Sequence, residues 1–243
     1  MSNKSNAVVI LSGGLDSTIL TYKVHPDYNL YALSFNYGQK QQIELQKAAI
    51  TTQKLKIPHK IANLQMLGDL VRNVTSNIIG SDIEVPDVKT ILGNPQPVTY
   101  IPNRNMIMLS IAAAYAEAVK ATKIFIGVQI HDLYGYWDTQ PQFIKAMNNV
   151  FSLNRNAEPV QIEAPFALLS KHDELLIAKD LNVPLEDTWT CYDPKDWHIP
   201  SQVQSPDNWR PNLACGKCGS CAERLKAFEL AKMTDPLEYY PNG

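Results

Sequence analysis

The chain has 243 residues, 45% of them apolar, and a formal net charge of −2, with a pI near 6.2 and a mean hydropathy of −0.20. That size suits one large α/β domain or a domain with an appendage, and the slightly acidic balance removes any global electrostatic case for nucleic-acid or membrane binding. No run approaches the ~18 apolar residues that span a bilayer, and Met1–Asn6 is polar, without the apolar stretch of a secretory leader, so a cytoplasmic location is expected.

Ala7 to Leu11 is an unbroken apolar run rich in β-branched residues, the pattern of a strand buried on both faces. It stops at Ser12-Gly13-Gly14, and helical spacing opens at Asp16-Ser17-Thr18. A glycine pair there lets the backbone approach an anion closely. Ser12 and Ser17 add hydroxyls, and a helix N-terminus adds N–H groups and a positive dipole end. A tight turn without a ligand is the plainer reading of the glycine pair alone. The lysine-containing spacing of a Walker loop is absent. The string S-G-G-L-D-S resembles the signature of the PP-loop ATP pyrophosphatases, which cleave ATP between its α and β phosphates. The resemblance implies an ATP site at Leu11, Ser12, Gly13, Gly14, Leu15, Asp16, Ser17 and Thr18.

Thr18–Val24 reads as the following helix, Leu30–Phe35 as a second strand, Gln41–Lys56 as a helix and Pro58–Ala62 as a third strand. This alternation predicts an α/β fold with a doubly wound, mostly parallel sheet. Ligands of such sheets bind at the carboxyl ends of strands, which places Ser12–Ser17 beside Asn36–Gln39. Leu64–Val71 reads as a short helix, and Leu64–Thr99 as a whole as an irregular insertion near the mouth of the site.

Tyr100-Ile101-Pro102-Asn103-Arg104-Asn105 precedes a strongly apolar helix, Met106–Lys120, expected to be buried against the sheet. Arg104 places positive charge at a helix N-terminus, where it is disfavoured unless an anion or a salt bridge compensates it. Lys123–Val128 is the fourth strand. Beyond it, His131, Asp132, Tyr134, Gly135, Tyr136, Trp137 and Asp138 suit a pocket for a planar, hydrogen-bonding ligand, or an aromatic loop packed under a lid or at a subunit contact. Pro141–Leu153 is helical and Val160–Ala164 is the fifth strand. Ser170 and Asp173 have the spacing of a capping box, with Lys171 as a second cation at a helix start.

All four cysteines fall near the end: Cys191, then Cys215, Cys218 and Cys221 at C-x-x-C-x-x-C spacing. Such spacing points to a metal rather than to disulfides. A structural zinc bound by four thiolates is the favoured reading, with an iron–sulfur cluster as the competitor. A helix is expected over Ala222–Ala231.

The ordered set S-G-G-L-D-S, F-N-Y-G-Q, Y-I-P-N-R-N, G-Y-W-D, L-S-K and W-T-C-Y…C-G-K-C-G-S-C-A-E-R resembles the 7-cyano-7-deazaguanine synthases of the queuosine pathway, from Val8 to Phe228. The resemblance implies an adenine nucleotide alpha hydrolase-like, PP-loop domain over 1–185, with its insertion at 64–99, and a zinc-binding subdomain over 186–243. It implies a ligase that adenylates 7-carboxy-7-deazaguanine, forms the amide with free ammonia, then adenylates the amide and eliminates AMP to leave the nitrile. ATP, Mg2+ and Zn2+ are the implied cofactors and a homodimer the implied assembly, with no direct nucleic-acid or membrane partner. The implied catalytic residues are Ser12, Asp16, Ser17, Arg104 and Lys171. The implied substrate contacts are Tyr37, Gln39, Arg104, Asp132, Gly135, Tyr136 and Asp138, and the metal ligands are Cys191, Cys215, Cys218 and Cys221. Where many members read D-F-S-G-Y-P-D-C, this chain reads D-L-Y-G-Y-W-D-T, and its stretch Pro194–Ala214 is longer than the family's usual link. A paralogue that stops at the amide, or passes the acyl group to another amine, is the alternative that these departures leave open. A tRNA-modifying sulfur or lysine transferase fits less well, since no cysteine precedes Cys191 and the chain lacks a basic balance.

Overall fold

The computed structural model describes residues 4–87, 98–130, 135–154, 158–194 and 213–240. The apolar runs become strands β1 (Asn6–Ile10), β2 (Asn29–Asn36), β3 (His59–Asn63), β4 (Lys123–Phe125) and β5 (Gln161–Glu163). All pair in parallel in one five-stranded sheet of order β3-β2-β1-β4-β5. Between and after them run helices α1 (Leu15–Val24), α2 (Ile43–Leu55), α3 (Gln65–Val71), α4 (Arg104–Ala118), α5 (Pro141–Phe151), α6 (Lys171–Asp180) and α7 (Gly219–Ala231).

Side chains alternate across a strand, so a sheet buried on both faces feeds two cores. Val8, Leu33 and Ile124 join Leu67 of α3, Leu109 and Ala112 of α4 and Ile144 of α5 on one face. Ala7, Val9, Ala32 and Phe125 join Ile19 of α1, Ala48 of α2, Leu175 of α6 and Phe228 of α7 on the other. The alanines of α4 let it lie close to β1 and β4. The chain leaves β1 toward β2 and β3, then returns to the other flank of β1 for β4 and β5. The order therefore reverses between β1 and β4, and the carboxyl ends of these strands open a crevice.

Several boundaries differ from expectation, and the causes are tertiary. β4 stops at Phe125 instead of Val128. Ile126 N–H still donates to the Glu163 carbonyl at 3.0 Å, but Gly127 then lies on the first turn of α1, where a Cβ would come 3.1 Å from Ser17 N. Helix α1 begins at Leu15 rather than Thr18, with Gly14 as its N-cap. Helix α4 begins at Arg104 rather than Met106, because the Asp138 carboxylate accepts the Asn105 N–H at 3.1 Å and caps it from outside. Helix α7 begins at Gly219 rather than Ala222, so Cys221 sits in its first turn. The capping box of α6 is present as expected: Ser170 N–H donates to Asp173 at 2.9 Å and Asp173 N–H to the Ser170 hydroxyl at 3.3 Å.

The stretch expected to be an irregular insertion holds α3, a 3-10 turn at Arg72–Val74 and a buried run from Thr75 to Ile78, which bridges to Gln39. Among the described residues no helix is long and apolar enough to cross a membrane.

Candidate active site

The crevice is walled by the loop after β1, the turn after β2, the N-termini of α4 and α6, and the Trp189–Tyr192 segment. It brings together Leu11, Ser12, Gly14, Leu15, Asp16 and Ser17 with Tyr37, Gln39, Arg104, Tyr136 and Lys171, residues expected from sequence and spread across the chain. The loop holds its own shape. The Ser12 hydroxyl accepts the Gly14 N–H at 3.0 Å and lies 2.9 Å from the Ser17 hydroxyl, while Ser17 Oγ accepts the Ser12 N–H at 3.2 Å. The first turn of α1 leaves backbone N–H groups without intrahelical partners, at a helix end that favours anions.

Gly13 and Thr18 serve this loop from behind rather than in the wall. Gly13 has φ +91°, and a Cβ on it would lie 1.9 Å from the Glu44 carbonyl oxygen, so its missing side chain admits the backbone of α2. Thr18 is wholly buried in α1.

Cations and carboxylates are sorted within the wall. The Lys171 ammonium, 5% exposed, lies 2.9 Å from Glu223 and 3.5 Å from Asp16. Burial works against its charge, but the two carboxylates outweigh burial and hold its pKa above the ordinary lysine value. The compensation that Lys171 needs at a helix start thus comes from Asp16 and Glu223. Arg104 donates to the Tyr37 hydroxyl at 3.4 Å and its guanidinium stands 5.8 Å from that ring's centroid. Among the described residues Arg104 has no ion pair. Glu44, in the first turn of α2, also lines the crevice. Burial, opposed by Arg104 and reinforced by Asp16, pushes its carboxyl up to about 8.

The residues expected to read a planar ligand divide. Tyr37 and Tyr136 line the crevice, with the Tyr136 hydroxyl 2.7 Å from Thr99 Oγ1. Gln39 lines it too, but its amide is occupied by the turn: the Tyr37 N–H donates to it and it donates to the Phe35 carbonyl, both at 3.0 Å. Asp138 is 2% exposed and lies outside the wall, its carboxylate spent on the Asn105 N–H. Gly135 is also outside the wall, and Asp132, with the rest of 131–134, lies outside the described residues.

Cys191, Cys215, Cys218 and Cys221 converge in one buried group, every sulfur within 4.8 Å of the others and none in a disulfide. A tetrahedral zinc with bonds of about 2.3 Å needs sulfurs about 3.8 Å apart, and Cys215 Sγ lies 3.9 Å from Cys221 Sγ. Backbone N–H groups of Asp193 and Cys215 donate to the Cys191 sulfur at 3.3 and 3.2 Å, and that of Cys218 donates to Cys215 at 3.3 Å, an arrangement suited to thiolates. The donor set therefore fits a metal. The group is joined to the crevice through Trp189, whose N–H donates to the Gly13 carbonyl at 3.0 Å and whose indole donates to the Cys191 carbonyl at 2.9 Å.

Residues 6–232 match the family model described as queuosine biosynthesis protein QueC. A 7-cyano-7-deazaguanine synthase from Marinomonas sp. (strain MWYL1) is 40% identical over 240 residues, covering 98% of this chain and 99% of that one. One from Thermoplasma volcanium is 39% identical over 243 residues, covering 97% and 92%, and one from Pseudoalteromonas translucida is 36% identical over 233 residues, covering 96% and 97%. The chain belongs to the QueC family.

Sequence patterns in this QueC-family chain do not single out Glu44, and they include Glu223 and Arg224 only as the end of the C-A-E-R string, with no role attached. Glu223 and Arg224 lie two and three residues after the last cysteine, and their positions on α7 were the available signal. Glu223 reaches Lys171. Arg224, fully buried, donates to Thr188 at 2.9 Å, to Thr190 at 3.0 Å and to both oxygens of Asp235 at 2.9 Å, and so clamps the strand-like Trp189 segment.

Proposed function

We propose that the chain makes 7-cyano-7-deazaguanine from 7-carboxy-7-deazaguanine, ammonia and ATP. Family membership across residues 6–232 supports this reading. The observation that carries it is the crevice itself, which sets an anion-binding loop and helix end beside two cations and two tyrosines at the point where the strand order reverses.

ATP lies with its phosphates on the loop after β1. Ser12, Gly14, Ser17 and the first-turn N–H groups of α1 hold the leaving pyrophosphate, and Asp16, whose Oδ1 has no hydrogen-bond partner among the described residues, would offer a carboxylate to Mg2+, which would neutralise the charge. Leu11 and Leu15 give the nucleotide an apolar wall, and Gly13 and Thr18 fix the loop from behind. Arg104 and Lys171 stabilise the negative charge that grows as the carboxylate, and later the amide oxygen, attacks the α-phosphate. Tyr37 and Tyr136 hold the deazapurine, Gln39 and Asp138 brace the walls that hold it, and Asp132 and Gly135 stand close to Tyr136 in the sequence. The four thiolates would hold zinc in a structural role. A cytoplasmic homodimer completes the reading.

Mass spectrometry after incubation with the acid, ATP, magnesium and ammonium is the test. Nitrile accompanied by AMP is the expected result. Amide as the end product, or AMP without nitrile, would move the function to an amide-forming paralogue.

A further inference from the structure

Ammonia carries three N–H bonds and a nitrile nitrogen none, so the proposed reaction removes every hydrogen from one nitrogen. A basic group in the crevice would assist each removal. Among the described residues the carboxylates of its wall are Asp16, Glu44 and Glu223. Lys171 engages Glu223 and the Oδ2 of Asp16, whose Oδ1 has no hydrogen-bond partner among the described residues, and Glu223 also accepts from Gln129 at 2.7 Å. Glu44 is only 9% exposed. Its side chain has no hydrogen-bond or ion-pair partner among the described residues, and Oε1 lies 3.6 Å from where Gly14 would carry a Cβ. The carboxyl thus looks onto the N-cap of α1, next to the loop that receives the phosphates. Among the described residues three groups face it: Asp16 from α1, Arg104 from α4 and Tyr37 from the turn after β2. Burial and Asp16 favour its acid form and Arg104 its carboxylate.

We propose that Glu44 is the general base of the ammonia-dependent steps. The inference rests on the function proposed above and adds a residue to it. In the first round the ammonia lone pair forms the C–N bond, the C–O bond to AMP breaks with its electron pair on the AMP oxygen, and an N–H proton passes to the Glu44 carboxylate. In the second round the adenylated amide loses its two N–H protons in turn. As the last leaves, the N–H electron pair completes the C≡N bond and AMP departs with the C–O pair. Between transfers Glu44 returns each proton to solvent through the crevice. A carboxyl that titrates at about 8 is matched to such a task near neutral pH.

The test compares the wild type with Glu44→Gln and Glu44→Asp in three measurements. These are acid-dependent ATP–pyrophosphate exchange without ammonia, nitrile formation with ammonium, and the pH profile of nitrile formation per free ammonia. Glu44→Gln should keep the exchange, lose nitrile formation by about 10²–10⁴-fold, and lose the rise in rate through neutral pH that marks a base shedding its proton. Glu44→Asp, which keeps a carboxylate, should recover part of the rate with a displaced profile. Equal loss of exchange and nitrile, an unaffected nitrile rate, or an unmoved pH profile in Glu44→Asp would overturn the assignment, the last even if Glu44→Gln does not fold. A wild type that makes no nitrile would instead sink the function on which the inference rests.

Discussion

At the residue scale the chain places its charge with little to spare. Lys171 is neutralised by two carboxylates, Arg104 lies over a tyrosine ring, and Glu44 is buried without a hydrogen-bond or ion-pair partner among the described residues. Folding raises the Glu44 carboxyl from 4.5 to about 8, so the folded state binds this proton more tightly than the unfolded one. The stability from that preference is present in full below pH 4.5 and is lost as pH rises toward 8, where folding must bury a charge. Glu44→Gln cannot ionise. Its stability in urea unfolding should therefore gain on the wild type as pH is raised through this interval, and a constant gap would mean that Glu44 is ionised without cost. The gain would mark a residue kept for chemistry at the expense of stability. Nothing near Glu44 in sequence announces this, since a glutamate in the first turn of a helix is ordinarily solvated and favourable there.

At the element scale, the β1–α1 unit was legible almost in full. A buried strand, a glycine turn and a helix start are signalled by adjacent residues, as is the Ser170–Asp173 capping box. The meaning of Gly13 was not. The pattern reads it as an approach to an anion, whereas the fold uses its missing side chain to seat α2. Gly13→Ala should lower stability by at least about 3 kcal/mol, through strain at positive φ and a clash with backbone that has no rotamer to change. Chemical denaturation measures this, and an unshifted midpoint would show that α2 can withdraw freely. The end of β4 and the start of α4 depart from the sequence pattern for a similar reason. Gly127 packs on α1, and Asp138 caps α4 from 33 residues away.

At the scale of the whole molecule, the cysteine group and the crevice are one construction. Trp189 bonds to both, and Arg224 secures that segment through Thr188, Thr190 and the buried carboxylate of Asp235, itself held by the Tyr239 hydroxyl at 2.6 Å. Removing one partner of a buried ion pair leaves the other charge uncompensated. Arg224→Met should accordingly cost about 3–5 kcal/mol, and it should weaken ATP binding because Trp189 loses its anchor beside Gly13. Urea unfolding and calorimetric titration with ATP read the two effects. A destabilised variant that binds ATP normally would uncouple the clamp from the crevice.

The sequence by itself determined the alternating strands and helices, the loop after β1, the two cations at helix starts and the four thiols that meet as one group. Each of these is carried by residue types within a few positions of one another, or by a side chain with little alternative use. Only the tertiary structure decided that Glu44 faces the crevice, that Asp138 and Gln39 spend their polar atoms on backbone, and that Glu223 and Arg224 tie α7 to the site. Burial and hydrogen-bond partnership depend on which segments the sheet brings together, and those partners lie tens of residues apart along the chain.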